Sequence, residues 1–315
     1  MDSRARVIAV GVGFIALALV PVAAALLNQP FYLDLFRRIM IFAIAAVSLD
    51  LILGYGGMVS FGHAAYLGLG AYAVAIPAFY GIQSGFVQWP LAIVLSGVTA
   101  LLIGAVSLRT SGVSFIMITL AFAQMLYYLG ISINAWGADD GMRLARRSDF
   151  AGALDLANPY VFYYVVLGIL SVLLWLGHRL IHARFGVVIR AARSNEPRMR
   201  AIGFSTFRYR LAAFALAGAV CGLAGALLTN QTEYLTPSFM HWTRSGEIMM
   251  MVILGGMGTL FGPVLGALAL LLLEDLLSAW TVHWQVVLGP ILVLVVLYAR
   301  GGLWSLLPGG ARRDG

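Results

Sequence analysis

Apolar residues run along the chain in blocks of about twenty, the length a helix needs to cross the hydrocarbon core of a bilayer. Spans are predicted near 7–27, 35–54, 62–80, 89–108, 113–133, 160–181, 209–229 and 284–299. Between Ile39 and Leu108 the only charged residue is Asp50, so neighbouring spans run together there. The pattern predicts an all-α polytopic membrane protein, with residues 1–315 forming a single transmembrane domain. The first apolar run is long for a signal peptide; Ala23-Ala24-Ala25 is a weak cleavage site, and a retained anchor with its N-terminus inside is expected.

One further apolar stretch, 246–277, is interrupted by Leu254-Gly-Gly-Met-Gly-Thr-Leu-Phe-Gly-Pro263, whose glycines and proline should break a helix. A second break is expected near 54–63, where Gly54-Tyr-Gly-Gly-Met-Val-Ser-Phe-Gly-His63 echoes it: Gly56-Gly57-Met58 matches Gly255-Gly256-Met257, and Phe61-Gly62-His63 matches Phe261-Gly262-Pro263. Paired glycine-interrupted segments in two halves of a membrane protein point to a transport path. Similar composition alone is the competing explanation. If 246–277 is re-entrant, the chain has eight spans; if it crosses twice, ten. Broken backbone at membrane depth must line a cavity or be buried in protein.

Charge gives the orientation. All 20 basic residues are arginine, and eight of them (Arg179, Arg184, Arg190, Arg193, Arg198, Arg200, Arg208 and Arg210) fall within 179–210 with Glu196 as the only acid. A short loop this basic belongs in the cytoplasm. Residues 134–159 mix Asp139, Asp140, Asp149 and Asp155 with Arg143, Arg146 and Arg147, which suits a periplasmic loop. Arg37 and Arg38 then fall outside, against the rule, at the interface beside Asp34. Arg300, Arg312 and Arg313 place the C-terminus inside, as the N-terminus is. The net charge of +7 is accounted for by this asymmetry, and no nucleic-acid partner is expected.

The absence of lysine excludes a standard P-loop and a Schiff-base cofactor. Cys221 is the only cysteine and lies among small residues, so no disulfide and no Cys/His metal site are expected. No cofactor is implied, and no nucleophile–base motif supports an enzyme. Membrane lipid is the solvent of most of the surface.

Two groups of residues carry the functional reading. In the basic loop, 182–208, Asn195 or Ser194 can cap a short helix near 196–202, with Glu196 at its positive end, Pro197 in its first turn and Gly203 as its stop. Ser205 or Thr206 then caps the next span. Such a helix is too short to stand alone and must pack on something. Within the apolar runs, Asp50, Ser60, His63, Gln124 and Glu247, with the glycine pairs Gly56-Gly57 and Gly255-Gly256, are candidates to line a path. His63 can equally be a packing residue, and Glu247 an acid of a helix start. Glu274 and Asp275 read as boundary markers. Gly137-Ala-Asp-Asp-Gly-Met142 is a turn or an external contact.

Residues 48–72, from Ser48-Leu-Asp-Leu-Ile-Leu-Gly-Tyr-Gly-Gly-Met to Gly70-Ala-Tyr72, resemble the signature of the LivM-type permeases of branched-chain amino acid ABC importers. Arg190-Ala-Ala-Arg-Ser-Asn-Glu196 with Ala201-Ile-Gly203, the 254–266 block and the 137–142 loop resemble three further blocks of that family, in order, from about residue 35 to 300. Asp50 stands where many relatives carry asparagine, and Asp139-Asp140 where Ser-Asp or Ser-Asn is more usual.

The resemblance implies a permease that carries branched-chain or related hydrophobic amino acids. It would work with a second, LivH-type permease, two cytoplasmic ABC ATPases and a periplasmic binding protein, in a bacterial inner membrane. Residues Arg190, Arg193, Asn195, Glu196, Pro197 and Gly203 would belong to the segment that docks on an ATPase. Permeation of urea or short amides by the same superfamily, and ion-coupled secondary transport, are the alternatives.

Overall fold

The computed structural model describes residues 3–26, 28–152, 154–298 and 301–306. Arg300, Arg312 and Arg313, expected to mark an inside C-terminus, lie outside the described residues. The chain forms helices α1 (Ser3–Leu26), α2 (Pro30–Asp50), α3 (His63–Phe79), α4 (Gly85–Ser107), α5 (Val113–Ser132) and α6 (Pro159–His182). These are followed by α7 (Arg184–Ser194), α8 (Glu196–Ala201), α9 (Thr206–Thr232), α10 (Trp242–Gly255), α11 (Gly262–Trp280) and α12 (Trp284–Tyr298). The only sheet among the described residues is an antiparallel pair of two-residue strands, β1 (Met142–Arg143) with β2 (Tyr234–Leu235).

Helices α4, α5, α6, α9 and α11 are long and apolar enough to cross a membrane. Gly11–Leu26, α3 and Trp284–Val295 are apolar but shorter. α2 is different: its charges, Asp34, Arg37, Arg38 and Asp50, sit near its two ends, and residues 39–46 between them are all buried. A helix apolar on every face belongs inside a bundle, and α2 packs against α1, α6, α9, α10 and α11. At its start Arg37 is 2% exposed, pairs with Asp34 and lies 4.8 Å from the centre of the Phe162 ring. Arg38 reaches Glu274 of α11 at 3.5 Å, so Glu274 marks that same end of the bundle.

Tight packing elsewhere follows from small residues. Gly218 and Gly222 of α9, four apart on one face, meet Ser96 and Ala100 of α4, and a Cβ at Gly222 would lie 2.7 Å from the Ala92 carbonyl. With no hydrophobic drive between helices in lipid, such close backbone approach supplies the attraction. Cys221, buried on this helix, behaves as the small packing residue its neighbours imply.

The loops expected on opposite sides of the membrane occupy opposite ends of the bundle, joined by α6, which is roughly 36 Å long at ~1.5 Å per residue. Residues of 134–159 close over the starts of α2 and α4 and the end of α9. Ser148 donates its amide to Asn230 Oδ1 at 2.7 Å, and Arg147 pairs with Glu233 at 2.8 Å. Gln231 donates to the Asp34 carbonyl at 2.9 Å. Asp139 and Asp140 sit exposed on a turn between Gly137 and Gly141, both at positive φ.

The stretch 246–277 is two helices, α10 and α11, which run antiparallel with Gly255 against Gly262 and Met251 against Gly266. A 3₁₀ turn, Pro237–Met240, with Pro237, Phe239 and Met240 buried, leads into α10. The basic loop holds more structure than the predicted single short helix: α7 precedes α8.

Candidate functional site

Both glycine breaks are real, and they touch. At the first, α2 widens into a π-helical turn, Leu51–Tyr55, before the chain swings through 56–62 into α3. Such wide turns interrupt the regular hydrogen-bond ladder and recur at functional sites. At the second, α10 ends at Gly255, and Gly256 takes φ +118° before α11 begins. The Asp50 carboxylate, one turn before Gly54, accepts the Gly258 N–H at 2.8 Å and so ties the first break to the second. A side chain at Gly54 would collide with both the Asp50 carboxylate and the Gly258 amide.

The start of α3 is held by side chains from elsewhere. Its N-cap, Gly62, has no side chain to offer the first amides. Ser245 of α10 accepts the Ala64 N–H at 2.9 Å in its place, satisfying a donor that the helix itself leaves open. Ser48 of α2 lies 2.8 Å from His63 Nε2 and donates its own proton to the Ala45 carbonyl at 2.7 Å. His63 Nε2 is therefore the donor of that pair, a tautomer assigned from the network. His63 is fully buried, as a packing and positioning residue at the head of α3.

Between α2, α6 and α9 lies a cavity of ≈ 290 Å³. Leu173, Leu176, Leu180, Leu216 and Val220 form an apolar wall, and Ser48, Asp50 and Tyr55 bring polar groups to it from α2 and its π turn. Small-molecule sites combine apolar walls with a few placed polar groups in this way. Asp50 Oδ2 has no protein partner among the described residues.

Of the predicted path residues, this cavity takes Asp50 alone. Gly57 lines a separate cleft of ≈ 210 Å³ together with Glu196 and Arg210. Ser60 is buried and accepts the Gly62 N–H at 3.2 Å. Gly56 lies at the end of the π turn, and Gly255 and Gly256 at the α10–α11 hairpin. Gln124, on α5, and Glu247, paired with Arg244 at 2.7 Å in the first turns of α10, line neither space. Glu247 is thus the helix-start acid that its sequence context allowed. Ser48 and Tyr55 are cavity residues the sequence reading passed over; both flank Asp50 within two turns, and that spacing was the available signal.

The basic end is built on local chemistry. Asn195 caps α8, its Oδ1 accepting the Arg198 N–H at 3.0 Å. Pro197 sits in the first turn. Gly203, at φ +94°, ends the helix: its N–H bonds the Arg200 carbonyl and the Phe204 N–H the Met199 carbonyl, the paired pattern of a Schellman stop. The expected cap of α9 is not made. Ser205 occupies the position without a capping bond, and Thr206 gives its hydroxyl to Glu196 at 3.0 Å instead.

Glu196 is an internal tie, since its carboxylate also receives Arg210 of α9 at 2.6 Å and Arg200 at 2.5 Å. Partial burial would raise this carboxyl, but Arg210, then Thr206 and Arg200, outweigh it and hold the group below the ordinary glutamate value. Two more of the predicted docking residues, though exposed, bond main-chain carbonyls of neighbouring elements. Arg190 donates to the Ile181 carbonyl at 3.0 Å, and Arg193 donates to the Gly54 carbonyl.

A family model described as the permease component of the branched-chain amino acid transport system matches residues 31–297. The chain is 28% identical over 293 residues to the high-affinity branched-chain amino acid transport system permease protein LivM of Salmonella typhimurium, covering 86% of this chain and 69% of that protein. It is 25% identical over 299 residues to a probable branched-chain amino acid transport permease, LivM, of Methanocaldococcus jannaschii, covering 82% and 85%. Against the LivH permease of Escherichia coli it is 23% identical over 288 residues, covering 83% and 90%. No solved structure matches the chain.

Proposed function

The chain belongs to the family of branched-chain amino acid transport system permease components, and from that premise we propose that it forms the membrane path for branched-chain or related hydrophobic amino acids in an ATP-binding-cassette importer. The observation that carries the substrate reading is the cavity between α2, α6 and α9. Its leucine and valine wall suits an aliphatic side chain, while Ser48, Asp50 and Tyr55 on one side suit the polar end of a zwitterion.

The energy must come from other chains, because a protein without lysine has no standard nucleotide loop. The proposed partners are a second, LivH-type permease, two ABC ATPases at the arginine-rich end and a periplasmic binding protein at the 134–159 end. The membrane is then the bacterial inner membrane, with 182–208 and both termini on the cytoplasmic side. α7 and α8 are the segment that meets an ATPase. Closure of the ATPase pair would move that segment and tilt the permease between its two access states.

Uptake into proteoliposomes holding the complete importer, with its binding protein outside and ATP inside, tests the reading. ATP-dependent accumulation of leucine, and none of urea, is expected. Uptake of urea without leucine would replace the substrate class, and uptake by this chain without any ATPase would replace the mechanism with a secondary transporter.

A further inference from the structure

We propose that Arg193 is the positioning residue through which the ATPase-facing helices act on the substrate cavity, by holding the main-chain carbonyl of Gly54 at the broken end of α2. The proposal rests on reading 184–203 as the docking segment, and it names the side chain that carries motion inward from there.

The first ground is where the guanidinium goes. Arg193 stands in the last turn of α7, and among the described residues it makes no ion pair. Its Nη1 donates instead to the carbonyl of a residue 139 positions away, Gly54. Its stem lies over Gly57, where an added Cβ would stand 2.9 Å from Arg193 Cγ and where φ is +68°. The backbone can pass beneath this arginine only with glycine there.

The second ground is the carbonyl itself. The π turn displaces the hydrogen bonds at the end of α2: Met58 N–H takes the Ile52 carbonyl at 2.8 Å, and Gly57 N–H takes the Leu53 carbonyl at 3.1 Å. The Gly54 carbonyl comes next in the series, and Arg193 supplies its donor. Carbonyls at a helix C-terminus carry partial negative charge, so a cation there is favourable. This bond is therefore a stable contact between α7 and α2.

The third ground is what lies beyond Gly54. One turn back, Asp50 lines the cavity and accepts the Gly258 N–H of the α10–α11 hairpin at 2.8 Å. A displacement of α7 thus pulls on the same turn that sets the Asp50 carboxylate and, through it, the second glycine break. Arg198, on α8, is exposed like Arg193, but its side chain has no hydrogen-bond or ion-pair partner among the described residues, which leaves it to contact a partner directly.

The test uses the complete importer in proteoliposomes, measuring leucine uptake, ATP hydrolysis and retention of the ATPase subunits through purification. With Arg193→Ala the ATPases stay bound and uptake per ATP hydrolysed falls about tenfold, a coupling loss of ordinary size. Arg193→Lys, whose ammonium can still reach the Gly54 carbonyl, restores most of that ratio. Gly57→Ala, which crowds the arginine and changes no charge, lowers the ratio as Arg193→Ala does. Arg198→Ala instead loses ATPase subunits. The proposal is overturned if Arg193→Ala keeps an uptake-to-hydrolysis ratio within roughly twofold of the unaltered importer. It is equally overturned if Arg193→Ala sheds its ATPases as Arg198→Ala does. An unaltered complex that hydrolyses ATP and moves no amino acid overturns the parent reading together with this one, whereas an unaltered complex that transports beside an unaffected Arg193→Ala overturns this proposal alone.

Discussion

Helix α7 buries Gly186, Val188, Ile189 and Ala192, whereas α8, separated from it by Asn195, buries no side chain at all. Both are basic and lie in one charged segment, yet they are attached to the bundle by different physics. α7 lies against the membrane helices along an apolar stripe, and Arg193 extends that attachment to the broken end of α2. α8 is held by its own cap, its glycine stop and the carboxylate of Glu196, which bridges to α9. A like density of arginine therefore says nothing about which helix is anchored and which is presented. A partner can move α8 at the cost of a few polar bonds, while moving α7 means moving the core.

The comparison can be broken from the α7 side first. Gly54→Ala places a carbon against the Asp50 carboxylate and the Gly258 amide, so overpacking should cost roughly 1–3 kcal/mol and open the Asp50–Gly258 tie. Among the substitutions considered it should lower the melting temperature of the detergent-solubilised protein most and abolish uptake. A Gly54→Ala protein that melts with the unaltered chain would mean that the junction is loose.

On the α8 side, Gly203→Pro removes the N–H that bonds Arg200 and demands a φ near −65° where the chain has +94°. Transport should be lost while membrane insertion, followed by fractionation, is retained.

Glu196→Ala leaves Arg210 and Thr206 without their shared acceptor. It too should abolish transport without affecting insertion, and normal uptake would detach Glu196 from coupling altogether.

The same tie has a pH signature. The Glu196 carboxyl is lower in the folded protein than its ordinary value of 4.5, so its stabilisation is complete above that value and is lost as pH falls through the depressed one. The difference in melting temperature between the unaltered protein and Glu196→Gln should be constant near neutrality and close on acidification. A difference that stays flat down to strongly acidic pH would rule out the charged tie.

The smallest effect belongs to Asn195→Ala, which removes the α8 cap and should cost about 1 kcal/mol, visible as faster amide exchange over 196–201 with little change at α7.

Much of the fold was legible along the chain. Apolar length located the spans, and glycine with proline located both breaks, because these signals are local and the bilayer tolerates few alternatives. The α8 helix was legible residue by residue, from Asn195 as cap through Pro197 to Gly203 as stop, since caps are written within a few positions of the helix they end. α7 was not, although Gly186, Ile189 and Ala192 carry a helical spacing; the arginines between them masked it as a charged connector. Thr206 shows the same limit from another direction. It reads as a helix-start residue, but Glu196, which folds back beside it, offers its hydroxyl a stronger acceptor.

The sequence by itself determined the solvent, the gathering of arginine in one segment, the lack of a standard lysine-bearing nucleotide loop and the family. Each of these is a sum over composition or a short motif, and none depends on which helices meet. Only the tertiary structure decided what Asp50, Arg193, Ser48 and Ser245 do. Their partners, Gly258, Gly54, His63 and the Ala64 amide, lie between 15 and 208 residues away. The buried polar groups of a broken helix must be satisfied by whatever the packed bundle brings alongside. In this chain it brings an arginine from the basic end to the first break, and one carboxylate to join that break to the second.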